Sequence, residues 1–404
     1  MIKFLQKLGP GLLFAGAAIG VSHLVQSTKA GSNFGFGLLW ALLLINLIKY
    51  PFFQYGPRYA AATGENLLEG YKKLGKWALR IYALLTLATM FTIQTAVTIV
   101  TAGIAFSLFG SSFSLELWAV IILGFCFLLL LLGRYNLLDK MMKIIIILLS
   151  ISTLLAVGIA FNNSGSELPW AQVFPTSNHE VIFLIAFMGW MPAPLDVSIW
   201  HSLWAVEKQK TTDVFEKKSA LLDFNIGYVS TIILGVCFLL LGGLVMYGSG
   251  KSFSDSGGEF SLQLIDMYTE NLGDWSFAII GVAAFTTMFS TTLTTLDASP
   301  RAMNKTVELI LEKKIEKGYS AWLILLILGT AIVFFFFLSE MGSLIKIATI
   351  LSFLTAPFYA IMNYLVLCSK HTPKAWQPSK IMHILSIFGI LFLVGFNIWY
   401  LSIL

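Results

Sequence analysis

Gly189-Trp190-Met191-Pro192-Ala193-Pro194-Leu195-Asp196 is the stretch on which the fold turns. It lies within an apolar run, 178–204, longer than the roughly twenty residues that cross a bilayer as a helix. Pro192 and Pro194 remove two amide donors and clash with the preceding turn, so no continuous helix is expected through 190–196. Irregular backbone at membrane depth survives only where protein or a water-filled cavity encloses it. A second irregularity is expected in the first apolar run, 10–28, at Gly16-Ala17-Ala18-Ile19-Gly20-Val21-Ser22-His23. Glycine weakens a helix by about 1 kcal/mol against alanine, and Ser22 can bond the backbone groups so freed.

Working outward, the remaining chain reads as lipid-embedded. Of 404 residues, 57% are hydrophobic and only 12% charged, about half the charge of an ordinary soluble domain, so the apolar surplus must face lipid. Eleven runs are long enough to span, near 10–28, 34–56, 78–108, 114–133, 140–161, 178–204, 219–248, 273–298, 320–338, 343–368 and 380–402. Sorting the connecting segments into alternate sets puts 22 of the 26 lysines and arginines on one side, with Lys29 and Lys251 alone in the loops opposite. Basic residues collect in cytoplasmic loops, so the N-terminus is expected in the cytoplasm and the C-terminus outside, in a bacterial plasma membrane. One missed or invented span would spoil that separation.

Other classes fall away. Cys126, Cys237 and Cys368 all lie in apolar runs, which is neither a disulfide framework nor a zinc site. No cleavable signal sequence is evident behind Lys3 and Lys7. There is no Gly-rich phosphate loop, nucleophile motif or His-Glu-x-x-His helix, so neither an enzyme nor a cofactor is expected. The basic residues are accounted for by topology and imply no nucleic acid.

Spans one and six begin two five-span halves, about 8–161 and 178–368, with 380–402 left over. The expected fold is therefore an all-α integral membrane protein of one domain, an inverted five-plus-five repeat with broken helices one and six and one extra helix. Carriers of that plan bind substrate between the breaks. The candidate substrate-binding residues are Gly20, Ser22, His23, Trp190, Met191, Ala193 and Asp196. A carboxylate at mid-membrane costs about 2.5–3.5 kcal/mol on insertion scales, and an intramembrane ionisable group is a functional candidate by default. His23, Asp196 and His201 are thus the candidates for proton coupling, and His23 with Asp196 for holding a metal. The plainer readings are imidazoles bonded to backbone carbonyls and an Asp196 that caps the second half-helix. Hydroxyls at Thr286, Thr287, Ser290, Thr291, Thr292, Thr294 and Thr295 line a path, hold a sodium ion, or bond the preceding turn. Lys49 and Lys346 are expected to snorkel from span ends, and the mildly acidic segment 249–272 to be a solvated loop.

The opening Gly9-Pro10-Gly11-Leu12-Leu13, then Ala30-Gly31-Ser32-Asn33-Phe34-Gly35-Phe36 with Leu38-Leu39-Trp40, resembles the NRAMP family of divalent metal transporters, as does Arg58-Tyr59 with Ala62-Thr63-Gly64. The resemblance implies a LeuT-type inverted repeat and alternating access. The chemistry departs. Where the family reads Asp-Pro-Gly-Asn at the first break, this chain reads Gly20-Val21-Ser22-His23. Where the family reads Met-Pro-His, one register places Ala193-Pro194-Leu195, and another keeps Met191-Pro192 at the cost of a gap. The third span carries Gln94 and threonines but no carboxylate over 91–106. The sequence therefore supports a secondary transporter of a divalent cation, a transporter of a small organic solute such as an amino acid, or a membrane sensor that moves nothing.

Overall fold

The computed structural model describes residues 9–110, 113–132, 135–163, 170–211, 217–249, 253–254, 257–274, 276–337 and 341–403. Among them every regular element is helical. Span one is α1 (Pro10–Ala18), a π-helical turn Ser22–Ser27 and α2 (Thr28–Phe34); span two is α3 (Leu39–Thr63), followed by the short amphipathic α4 (Leu67–Leu74). Spans three to five are α5 (Lys76–Phe109), α6 (Leu115–Leu132) and α7 (Tyr135–Asn163). Span six is α8 (Asn178–Trp190) with α9 (Val197–Thr211), and span seven is α10 (Lys217–Val245). After α11 (Gly257–Leu272) come spans eight to eleven: α12 (Ser276–Leu311), α13 (Gly318–Phe337), α14 (Met341–Cys368) and α15 (Lys380–Ile403).

These helices follow the eleven expected runs one for one, and spans one and six are both interrupted. Five described helices are by themselves long and apolar enough to cross a membrane, and the bent pair of span one, which turns by 47°, makes a sixth. Others are shorter or divided among the described residues: Leu115–Leu131 and Ile146–Asn162 are shorter apolar stretches of α6 and α7, and span six is split in two. Leu84, Leu155, Phe336, Ile381 and Leu391 stand exposed along the outer helices, as lipid-facing side chains must. Segment 249–272 is not only loop. Its α11 has an apolar face that buries Phe260, Leu264, Ile265 and Met267 against its helical neighbours, which charge counting alone did not reveal. Lys251 and Asp255 of that segment lie outside the described residues. Arg58, expected in a loop, sits inside α3 and donates to the Trp376 and Gln377 carbonyls at 2.6 and 2.8 Å.

Span seven packs along both halves of span one. The contact is backbone on backbone: a Cβ at Gly227 would fall 2.1 Å from the Gly11 carbonyl oxygen, and one at Gly242 would fall 2.2 Å from that of Thr28. Small residues let membrane helices approach closely enough for packing to hold them without a hydrophobic driving force. At the start of α1 the Asp223 carboxylate accepts from Gly9 N and Gly11 N at 3.0 and 2.8 Å, satisfying amides that begin the helix and sitting at the positive end of its dipole.

Gly227→Val should therefore lower stability by about 1–3 kcal/mol, the usual cost of overpacking. Gly158→Ala, where no atom lies within 4 Å of the new carbon, should change little. Thermal unfolding of the detergent-solubilised protein compares the two.

Candidate functional site

At the first break α1 ends at Ala18 and Gly20 N turns back to the Ala18 carbonyl at 3.0 Å. The chain resumes as the π-helical turn, a form that appears mostly as single turns at functional sites. Gly20 is required here because a Cβ would meet the Thr291 side chain of α12 at 2.8 Å. The Ser22 hydroxyl stands 2.6 Å from the Ala18 carbonyl oxygen, 3.3 Å from that of Pro192 and 2.6 Å from His23 Nδ1. His23 Nε2 donates to the Thr231 carbonyl at 3.0 Å, which assigns the ring proton to Nε2 in the neutral tautomer.

At the second break the last turn of α8 leaves carbonyls without helical donors. Lys49 supplies them. Its side chain, 0% exposed, reaches from α3 and donates through Nζ to the Gly189 carbonyl at 2.7 Å, Met188 at 2.9 Å and Ala193 at 3.3 Å. Lys49 thus does not snorkel: its ammonium is held at the negative end of the α8 dipole by charge-assisted bonds. Lys346 is exposed, as expected. Trp190 Nε1 donates to Ser352 Oγ of α14 at 2.8 Å. Asp196, 4% exposed, precedes α9, and its Oδ1 has no hydrogen-bond partner. It lies within electrostatic reach of Lys49 and of the Tyr71, Tyr82 and Tyr359 hydroxyls.

Between the breaks is a hollow of about 30 Å³, walled by Ser22 from span one, Trp190, Pro194 and Trp200 from span six, and Thr291 and Thr295 from span eight. Ile93 and Val97 of α5 close it from span three. Of the residues expected at the site, Ser22 and Trp190 line the hollow, and Gly20 abuts it through Thr291. His23 and Met191 turn towards α10 instead: a Cβ at Gly235 would lie 3.5 Å from the His23 ring and 3.4 Å from Met191 Sδ. Ala193 gives its carbonyl to Lys49. His201 stacks on Phe14 at 5.6 Å and packs against Phe224 at 5.8 Å, with neither ring nitrogen partnered. No contact joins His23 to Asp196, and no group of three or more His, Cys, Asp or Glu side chains gathers among the described residues. Trp200 is a site residue that sequence reasoning does not single out; Lys49 reads there as a snorkelling residue, and Thr291 and Thr295 stand only among the several hydroxyls of span eight. The i,i+4 spacing of those two, which puts both on one face of α12, is a signal that could set them apart.

A larger vestibule of about 360 Å³ opens where span one ends and spans six and ten begin. Gln26, Lys29, Asn33, His179, Ser343 and Lys346 supply its polar lining, and no carboxylate is among the described residues that line it.

Broken helices one and six facing a shared hollow, with span seven packed along span one, define a membrane protein of the LeuT-type carrier fold. The chain belongs to the natural resistance-associated macrophage protein-like (Nramp) family, whose sequence profile matches residues 11–402. It is 35% identical to the uncharacterized protein PM0681 of Pasteurella multocida, covering 98% of this chain and 92% of that one. It is 24% identical over 262 residues to the divalent metal cation transporter MntH of Latilactobacillus sakei, covering 60% and 55%. A mutant of the Eremococcus coleocola manganese transporter superposes with a TM-score of 0.71 at 14% identity, covering 99% and 94% of the two chains. MhsT in complex with L-phenylalanine gives 0.70 at 14%, covering 96% and 98%. At such identities the structural likeness speaks for the fold.

Lys49→Met leaves three buried carbonyls without a donor. A loss of about 3 kcal/mol or more is expected, at about 1–3 kcal/mol for each unsatisfied group, read as a fall in apparent melting temperature. Combining it with Asp196→Asn should give less than the sum of the two single effects, because the pair is coupled.

Proposed function

We propose that the protein is a secondary active transporter that carries a divalent metal cation through the hollow between the two breaks by alternating access. The observation that carries this reading is the junction itself. Ser22 Oγ of span one meets the Pro192 carbonyl of span six at 3.3 Å, beside a space of about 30 Å³, the share of a single water. That space suits a bare or partly hydrated ion. The relative from L. sakei bears the name of a divalent metal cation transporter, which supports the substrate class. The side-chain oxygens at the hollow are the hydroxyls of Ser22, Thr291 and Thr295 between mostly apolar walls, ligands that suit a hard ion such as Mg²⁺ or Mn²⁺ keeping part of its water. Trp200, whose buried indole N–H has no partner, is a donor available to such a water. Direct ligation by His23 and Asp196 requires the breaks to repack.

Proton coupling is assigned to His23, Asp196 and His201. The Ser22 hydroxyl brings one hydrogen to three acceptors: Ala18 O, Pro192 O and His23 Nδ1. A proton taken up on Nδ1 lets the ring donate to Ser22, which then donates to either carbonyl across the break. Asp196 and His201 are buried with unpartnered polar atoms and complete the set of titratable groups on span six. In the membrane, the distribution of basic residues puts the N-terminus in the cytoplasm of a bacterial cell and the vestibule on the outer face. The repeat halves run about 8–161 and 178–368.

A second reading rests on the vestibule. Its described lining includes Lys29, His179 and Lys346, basic side chains that suit an anionic or zwitterionic organic solute such as an amino acid. The breaks would then have to part before the hollow admits it.

Thermal stability of the purified protein should rise with Mn²⁺ or Mg²⁺, because a ligand of the native state stabilises by mass action, and Ser22→Ala should blunt the rise. In proteoliposomes an imposed pH gradient should drive uptake in the wild type and fail to do so in His23→Ala. A response to amino acids alone would transfer the conclusion to the second reading. Silence towards every solute would favour a sensor.

A further inference from the structure

We propose that the Lys49 ammonium is a tethered ion: it fills a three-carbonyl site for a primary ammonium at the break of span six, so that this break carries its own cation and draws none from solution. The site is made of the carbonyl oxygens of Gly189, Met188 and Ala193, which face Nζ at 2.7, 2.9 and 3.3 Å. All four residues are buried. The lysine reaches them from α3, a different span, so the contact is a crossing between spans two and six and not a cap made within one helix.

The prolines of span six create the site. In an unbroken helix the carbonyls of Met188, Gly189 and Ala193 would accept from the amides four residues on, at 192, 193 and 197. Residue 192 is a proline and has no N–H. Ala193 lies beyond the end of α8, which closes at Trp190. Val197 N turns back to the Pro194 carbonyl at 3.2 Å. Three acceptors are thus left at membrane depth, where an unpaired acceptor is costly. The negative end of the α8 dipole adds to their pull on a positive charge.

Donor count and size match an ammonium. It carries three hydrogens and no acceptor, one hydrogen for each carbonyl. A neutral amine has two and would turn its lone pair on the third oxygen. The spacing is close to that of N–H···O bonds, about 2.7–3.2 Å. It is too wide for Mg²⁺ or Ca²⁺, whose oxygens stand at about 2.0–2.6 Å. Asp196 lies within electrostatic reach and balances the charge. Lys49 is not among the residues that wall the hollow, which meets span six at Trp190, Pro194, Val197 and Trp200. The carbonyls that Lys49 occupies are therefore withheld from a solute in the hollow.

The site does not depend on the substrate assigned above. Lys49→Ala removes the equivalent of propylammonium, so that molecule is the probe. Thermal stability of the purified variant and wild type is followed against propylammonium, tetramethylammonium and propanol at one ionic strength, which removes general screening. Saturable stabilisation of Lys49→Ala by propylammonium is expected, with an apparent affinity about tenfold or more above that for tetramethylammonium, which has the charge but no N–H. The wild type, its site already filled, should not respond. Should Lys49→Ala not fold in plain buffer, recovery of folded protein on solubilisation in propylammonium is the expected result. Lys49→Met, similar in length but without charge or donor, should stay unresponsive and less stable than the wild type. Absence of rescue by propylammonium, equal rescue by propanol, or a Lys49→Met as stable as the wild type would overturn the proposal. Rescue in a protein that moves no solute would leave the site standing and remove the carrier reading instead.

Discussion

Backbone polar groups cannot be left unpaired in hydrocarbon, and this protein interrupts two of its helices there. Each interruption is met by a side chain from another span. Lys49 crosses from span two to three carbonyls at the end of α8, and Thr291 crosses from span eight to two carbonyls at the end of α1. Ser22 then ties one break to the other through Pro192. Without these donors the breaks would close into helix or draw in water, and the hollow between them would be lost.

The surrounding helices are arranged to hold that geometry. Glycines at 11, 227 and 242 bring span seven into backbone contact with both halves of span one, fixing the angle between the halves from outside. Span ten does the same for α8, where a Cβ at Gly189 would lie 2.3 Å from the Thr349 carbonyl oxygen and Trp190 bonds Ser352. The lysine in span two adds something that packing alone does not supply. Lys49 lies within electrostatic reach of Asp196 at the break of span six, so the charge of one influences that of the other.

Much of this was legible in the sequence because its causes are local. Two prolines within three residues, Pro192 and Pro194, end the helix where single prolines such as Pro51, Pro300 and Pro357 stay inside one, Gly20 permits a turn, and hydrophobic length with charge distribution set the number of spans. The partner of each break was not legible. Lys49 looks like a snorkelling residue when judged by its place along the helix, since its direction depends on which face of α3 meets span six. Thr291 and Thr295 share a helix with several hydroxyls that bond only the preceding turn, as Thr287 does to Ala283 and Thr294 to Ser290. Crossings with other spans separate them from these: Thr291 reaches Gly16 and Ile19 of span one, and Thr295 reaches Gln94 of span three. His201 reads as a coupling candidate by polarity; that Phe14 and Phe224 of spans one and seven pack against it could not be known from span six.

Transport through the breaks requires the hollow to be reachable from each side of the membrane in turn. A cysteine at Ala18, which lines the hollow, in a chain freed of Cys126, Cys237 and Cys368, can be challenged with a membrane-impermeant thiol reagent applied to one face of oriented vesicles and then to the other. Labelling from both faces, slowed by a bound solute, is the predicted result. Labelling confined to one face, or absent under every condition, would contradict it.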